Sequence, residues 1–156
     1  MSVKIKKILV PTDGSDGAKH ASEYAGVLAR ALNAKITVLA VNDDKVLALT
    51  AMIPGSVLEG GAIPAVTVQE IKNATEKKVR EQALAEAVQA VGEDTKLEVV
   101  QLWGHTGETI CNFAEENDFD LIVIGSRGLS TFGRVFLGSV SSQIVHHANC
   151  PVTVVR

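Results

Sequence analysis

Between residues 118 and 142 the chain reads DFDLIVIGSRGLSTFGRVFLGSVSS, a short apolar run followed by a glycine-rich loop and a serine-rich helix start. Gly125 ends the apolar run at 121–124, Gly128 and Gly138 follow, and Ser139, Val140 and Ser141 open a helix. A strand, a glycine loop and a helix N-terminus together hold phosphate. Glycines let the backbone approach an anion and take up positive φ. The first N–H groups of the helix are free to donate, and the helix dipole favours negative charge there. Backbone nests in such loops act alike. The plain alternative is a surface loop with turn glycines and a serine N-cap. A second candidate lies early in the chain, where the apolar run 8–10 ends in Pro11-Thr12-Asp13-Gly14-Ser15. A carboxylate at a strand end, such as Asp13, accepts hydrogen bonds from hydroxyls; it also serves simply to form a turn.

These groups need a scaffold. At 156 residues, 46% hydrophobic and 21% charged, the chain suits one domain, residues 1–156, with one core. Aromatics make up only 4%, so Val, Ile, Leu and Ala must build that core. A net charge of −3 argues against nucleic acid or a membrane surface held by bulk electrostatics. Any phosphate site must therefore be local. No apolar stretch is long enough to span a bilayer and no signal peptide is legible, so the expected location is the cytoplasm. Cys111 and Cys150 have neither zinc-type nor CxxC spacing and read as reduced, partly buried thiols.

Short continuous apolar runs suit parallel strands covered on both faces. The first is 8–10, and Ser15 then caps a helix whose Ala21, Ala25, Leu28, Ala29 and Leu32 recur at helical spacing, ending near Asn33. A second strand occupies 35–41. Residues 45–64 carry Pro54, Gly55, Gly60, Gly61 and Pro64 among apolar residues, a long connection expected to pack in part as a lid or a short helix. An amphipathic helix follows over 66–91, stopped by Gly92. A third strand covers 97–103; Thr106 is expected to cap a short helix closed by Asn117. The fourth strand is 121–124, the last helix 139–147 and the fifth strand 151–155. Alternating buried strands and helices imply an open parallel sheet with helices on both faces. Ligands of such sheets bind at the carboxyl ends of the strands, where the strand order reverses.

The spacing G-x-x-G-x9-G-S, from Gly125 through Gly128 to Gly138 and Ser139, resembles the nucleotide-binding signature of the universal stress protein family. The opening KKILVPTDGS and the ending HHANCPVTVVR are similar to that family's first strand and turn and to its last helix and strand, so the likeness spans nearly the whole chain. The resemblance implies an adenine nucleotide alpha hydrolase-like fold with a five-stranded parallel sheet in the order 3-2-1-4-5. It also implies a homodimer, through the C-terminal strand, and binding of ATP. By motif position it implies that Pro11, Thr12 and Asp13 line the nucleoside pocket, with Asp13 accepting from the base or ribose side. Val41 would flank adenine. Gly125, Arg127 and Gly128 would border ribose and phosphates, and Gly138, Ser139, Val140 and Ser141 would hold phosphates by backbone N–H and hydroxyl.

Arg127 and Arg134 lie in the loop and could screen phosphate charge, although solvent is an equal destination. His146 and His147 near a helix end suit the helix dipole, and His105 has no partner at metal spacing. Magnesium would accompany ATP, bound mainly by phosphates and water. The P-loop, the Rossmann G-x-G-x-x-G after strand one and G-x-S-x-G are all absent. The expected function is a nucleotide-dependent regulatory or stress-response role exerted on an unidentified protein partner. Two alternatives stand beside it: a slow ATP hydrolase or nucleotide-processing enzyme on the same scaffold, and a nucleotide-free dimeric adaptor.

Overall fold

Alternate residues of the apolar runs go to opposite sides of one sheet. Ile8, Val10, Leu121 and Val123 belong to one buried cluster, and Leu9, Ile122 and Ile124 to another. A strand needs apolar residues in both phases only when both its faces are covered. The computed structural model describes residues 4–43, 68–92, 95–128 and 137–156. Its elements are β1 (Lys7–Thr12), α1 (Asp16–Leu32), β2 (Lys35–Asn42), α2 (Val68–Val91), β3 (Leu97–Trp103), α3 (Thr106–Glu116), β4 (Leu121–Gly125), α4 (Ser139–His147) and β5 (Val152–Val155). The expected connection and lid at 45–64, and Gly133 and Arg134 of the glycine loop, lie outside the described residues.

The sheet is wholly parallel, in the order β3-β2-β1-β4-β5. Ala21, Ala25 and Ala29 of α1 and Ala87 and Val91 of α2 cover the first cluster. Ile110 and Ala114 of α3 and Ile144 of α4 cover the second. The small residues on α1 let helix and sheet approach closely. Gly26 does the same between helices, since a Cβ there would stand 3.0 Å from the Cα of Val91.

The order reverses at β1, between β2 and β4, and Pro11 widens that point. The carbonyl of Lys6 accepts from Lys35 beside β2, whereas that of Lys7 accepts from Asp120 beside β4. Alternation then turns the backbone of Leu9 and Pro11 toward β4. Pro11 has no N–H to give. The β1–β2 register runs on to Thr12 and Ala40, but the β1–β4 register stops at Leu9 and Ile122. The two central strands therefore part just where a ligand crevice is expected.

The helix ends follow the sequence signals in part. Ser15 caps α1, its hydroxyl accepting from the Ala18 N–H at 3.2 Å, and Asn33 closes it at φ 51°. Gly92, at φ +87°, follows α2. Two expected caps move by one residue. His105, not Thr106, occupies the N-cap of α3, because Thr106 already has helical geometry and the Thr109 N–H bonds the His105 carbonyl at 2.8 Å. Gly138, not Ser139, occupies the N-cap of α4.

Candidate functional site

A cavity of about 470 Å³ opens at the carboxyl ends of β1, β2 and β4, beside the start of α4. Every residue that the family resemblance placed at the nucleotide lines it. Pro11, Thr12 and Asp13 come from the end of β1 and its turn, and Val41 from β2. Gly125, Arg127 and Gly128 come from the end of β4 and the start of its loop; Gly138, Ser139, Val140 and Ser141 come from the N-terminus of α4. The volume lies within the usual range for a small-molecule site.

The floor is apolar and was not foreseen. Leu39, Ile110 and Ile124 are buried and line the cavity, with Thr106 above Ile110 on α3. Periodicity held the signal: Leu39 stands two residues before Val41 on one strand face, and Thr106 and Ile110 stand four apart on a helix. Ala18 and Leu137, also unforeseen, complete the wall.

Asp13 shapes its own turn. Its Oδ1 accepts the Ser15 N–H at 3.0 Å, and the Thr12 hydroxyl oxygen accepts the Gly14 N–H at 3.2 Å. The carboxylate is thus both turn former and cavity wall. Its Oδ2 lies against Gly128, in the space a Cβ there would take. This contact brings the β1 and β4 loops together.

Ser126, which no motif marked, fastens the glycine loop. Its carbonyl accepts the Gly138 N–H at 2.8 Å and the Ser141 hydroxyl at 3.0 Å; its own N–H donates to the Val155 carbonyl at 2.7 Å. Two expectations change in consequence. The Gly138 N–H is engaged by protein, so it is not a free phosphate donor. The Ser141 hydroxyl is buried and turned to the carbonyls of Ser126 and Gly138, at 3.0 Å each. Helix geometry leaves the N–H groups of Ser139, Val140 and Ser141 without intrahelical acceptors. The glycines of the motif also differ from expectation in backbone. Gly125, Gly128 and Gly138 do not have positive φ; among the described glycines Gly14, Gly92 and Gly104 do. Gly138 sits at φ −63°, ψ 163°.

Arg127 supplies the one cationic side chain among the described lining residues and Asp13 the one carboxylate. The Arg127 Nε is buried with no hydrogen-bond partner among the described residues. His105, His146 and His147 are exposed and outside the lining. Among the described residues no three His, Cys, Asp or Glu side chains converge as metal ligands, and no helix is long and apolar enough to cross a membrane. The cavity thus combines an apolar floor suited to a flat ring, a carboxylate suited to hydroxyl donors, and a helix start with a guanidinium suited to an anion.

The chain matches the model of the universal stress protein family over residues 4–156. It is 33% identical to the universal stress protein YxiE of Bacillus subtilis, over 96% of this chain and 98% of that one. It is 31% identical to the universal stress protein MJ0577 of Methanocaldococcus jannaschii, over 100% of this chain and 98% of the relative. The solved structure of MJ0577 superposes with a TM-score of 0.79, covering 98% and 96% of the two chains at 24% identity. A universal stress protein solved in complex with cAMP superposes with a TM-score of 0.67, covering 98% of each chain at 25% identity. This chain belongs to the universal stress protein family.

Proposed function

We propose that this chain is a cytoplasmic ATP-binding universal stress protein, acting as a homodimer whose nucleotide state is read by a protein partner. One observation carries the reading. The residues that the family signature marks converge on a single cavity at the strand-order reversal, with an apolar floor and an anion-suited helix start. A relative's complex with cAMP supports the adenine-nucleotide class.

The residues present fit the ligand. Adenine would lie on the apolar floor beside Val41, and ribose hydroxyls would donate to Asp13. The phosphates would accept from the N–H groups of Ser139, Val140 and Ser141 and from Arg127, whose buried Nε lacks a partner among the described residues. Magnesium would sit mainly among phosphates and water, since Asp13 is the one lining carboxylate and its Oδ1 already holds the turn. Asp13 and Arg127 are the only charged side chains among the described lining residues, so no separate acid and base flank a water position. The reading is retention of nucleotide, with slow hydrolysis at most.

The test is calorimetric titration with ATP and adenosine, together with mass spectrometry of what co-purifies. ATP bound only by the folded state should stabilise by roughly 2.7 kcal/mol at about 100 times its dissociation constant. Asp13→Asn keeps an acceptor for the Ser15 N–H but loses the charge, so it should weaken both ligands. Rapid turnover of ATP with magnesium would favour an enzyme, and absence of any binding would favour a nucleotide-free adaptor.

A further inference from the structure

At the opposite end of the sheet, away from the cavity just described, two neighbouring strands begin with lysine and a third is preceded by one. Lys7 of β1 lies directly beside Lys35 of β2 in the ladder, and the Lys96 carbonyl accepts the N–H of Ile36 at 3.0 Å, where β3 begins. Like charges set side by side across strands cost stability. The side-by-side placement of Lys7 and Lys35 is therefore not itself a source of stability. Together with Lys6 and Arg30 these side chains line a concavity of about 430 Å³, floored by Ala29 and Ala34. No carboxylate is among its described lining residues, in a chain whose net charge is −3.

The plain explanation is that the cations answer the C-termini of α1, α2 and α3, which end nearby. It covers part of the charge. The Arg30 guanidinium donates to the Val91 carbonyl, and the Lys7 Nζ donates to the Asn117 carbonyl at 2.9 Å. Three helix ends supply about one and a half negative charges in all, at roughly half a charge each. Asp120 supplies another, its Oδ2 accepting the backbone N–H groups of Lys6 and Lys7 at 2.7 and 2.9 Å. Five cations against these leave an excess. Lys6, Lys35 and Lys96 are exposed and form no ion pair among the described residues. Glu93 and Asp94, next in sequence to Thr95, lie outside the described residues.

We propose that this basic concavity is a second anion site, taking a compact molecule that carries several phosphates. Lysine ammonium groups are mobile point charges that suit phosphate oxygens, whereas the one guanidinium fork is already turned to a backbone carbonyl. The hydroxyl of Thr95 and the side chain of Asn33, both lining, add polar partners. The site is separate from the nucleotide cavity and shares no residue with it.

The probe is inorganic tripolyphosphate, followed by two-dimensional amide NMR of the full chain. Saturable shifts are expected at Lys7, Lys35, Thr95 and Lys96. The triple variant Lys6→Gln/Lys35→Gln/Lys96→Gln should lose these shifts, with an apparent dissociation constant raised by about tenfold or more. Its melting temperature should stay at or above that of wild type, because like-charge repulsion is relieved, so misfolding would not mimic the result. Shifts confined to 125–128 and 137–141 would overturn the proposal. So would shifts at the lysines that survive in the triple variant, or that sulfate reproduces at equal ionic strength.

Discussion

Gly125, the last residue of β4, lies against the backbone of Gly17 in the first turn of α1: a Cβ on Gly125 would stand 2.6 Å from the carbonyl carbon and oxygen of Gly17. The chain after β4 closes on Gly17 in turn, since a Cβ on Gly17 would stand 2.8 Å from the Arg127 carbonyl oxygen and 3.9 Å from the Gly125 Cα. Both obstacles are backbone and cannot turn aside. The first glycine of the signature therefore serves helix–sheet packing before it serves any ligand. Gly125→Ala should cost about 1–3 kcal/mol of stability through overpacking. Gly128→Ala should behave differently, because among the described residues its methyl would meet only the Oδ2 end of an exposed Asp13 side chain. Its stability should stay within about 0.5 kcal/mol of wild type, while adenosine affinity falls as Asp13 is displaced. Urea denaturation of the two variants separates the roles. Equal destabilisation by both would show that the Gly17–Gly125 contact has no special weight.

Gly138 invites a substitution that sets stability against binding. Its backbone, φ −63° and ψ 163°, nearly matches that of Ser15, φ −70° and ψ 162°, whose hydroxyl caps α1. A Cβ at 138 has room, its nearest neighbours lying at 3.5 and 3.6 Å. Gly138→Ser should therefore cap α4 through the N–H of Val140 or Ser141, adding a few tenths of a kcal/mol. That N–H would no longer be free for phosphate, so ATP affinity should fall by about tenfold, the loss of one hydrogen bond to a charged acceptor. Adenosine affinity should not change. Thermal melting with calorimetry of both ligands checks the three expectations, and undiminished ATP affinity would remove the α4 N-terminus from the phosphate site.

Much of this was legible in the sequence because strand burial and helix capping are local signals. The runs 8–10 and 121–124 marked the two central strands, Ser15 and Asn33 the ends of α1, and the glycine spacing the end of β4 and the start of α4. Less legible was anything set by approach across the fold. Nothing near Ser126 indicates that its carbonyl takes two hydrogen bonds from residues more than ten positions away. Gly17 reads as an ordinary first-turn residue until β4 is laid beside it. The glycines of the loop suggested positive φ, but their cause is room: backbone against backbone at Gly125 and a side chain at Gly128. The lysines at or just before three strand starts looked unrelated because only the parallel register makes them neighbours.

The two cysteines carry a prediction for alkaline solution. Cys111 and Cys150 both pack against the cluster covered by α3 and α4. Burial pushes both thiols above the ordinary value, and for Cys150 the neighbouring Cys111 pushes further in the same direction. The folded state thus holds these protons more tightly than the unfolded state. The associated stability is present below the unfolded thiol pKa and is lost as pH rises through the folded values. Urea midpoints should accordingly fall on the alkaline side of about pH 8.5. The double variant Cys111→Ala/Cys150→Ala should flatten that slope relative to wild type. A slope unchanged in the double variant would assign the alkaline loss to other groups.

The homodimer proposed for this chain can be tested through the backbone of β5 alone. β5 is an edge strand, and its four residues are half-buried in the protomer. The Pro151 carbonyl accepts from Ile122 and the Val155 carbonyl from Ser126, so the odd-numbered residues turn their backbone toward β4. Alternation then turns the N–H and carbonyl groups of Val152 and Val154 outward, away from β4 and, among the described residues, facing no further strand. Val154→Pro removes one outward N–H and leaves the odd-numbered β4 contacts in place. Proline is tolerated on the free side of an edge strand. The variant should weaken self-association by about tenfold or more, because each outward donor would be used twice, once by each copy, across a two-fold axis. Val154→Thr, which keeps the N–H and the β-branched shape, should leave association nearly unchanged and controls for the packing lost from the α3–α4 cluster, to which Val154 contributes. Sedimentation velocity across micromolar concentrations reads both. A wild-type chain that remains monomeric throughout that range, or equal association in Val154→Pro and wild type, would rule out pairing through this edge.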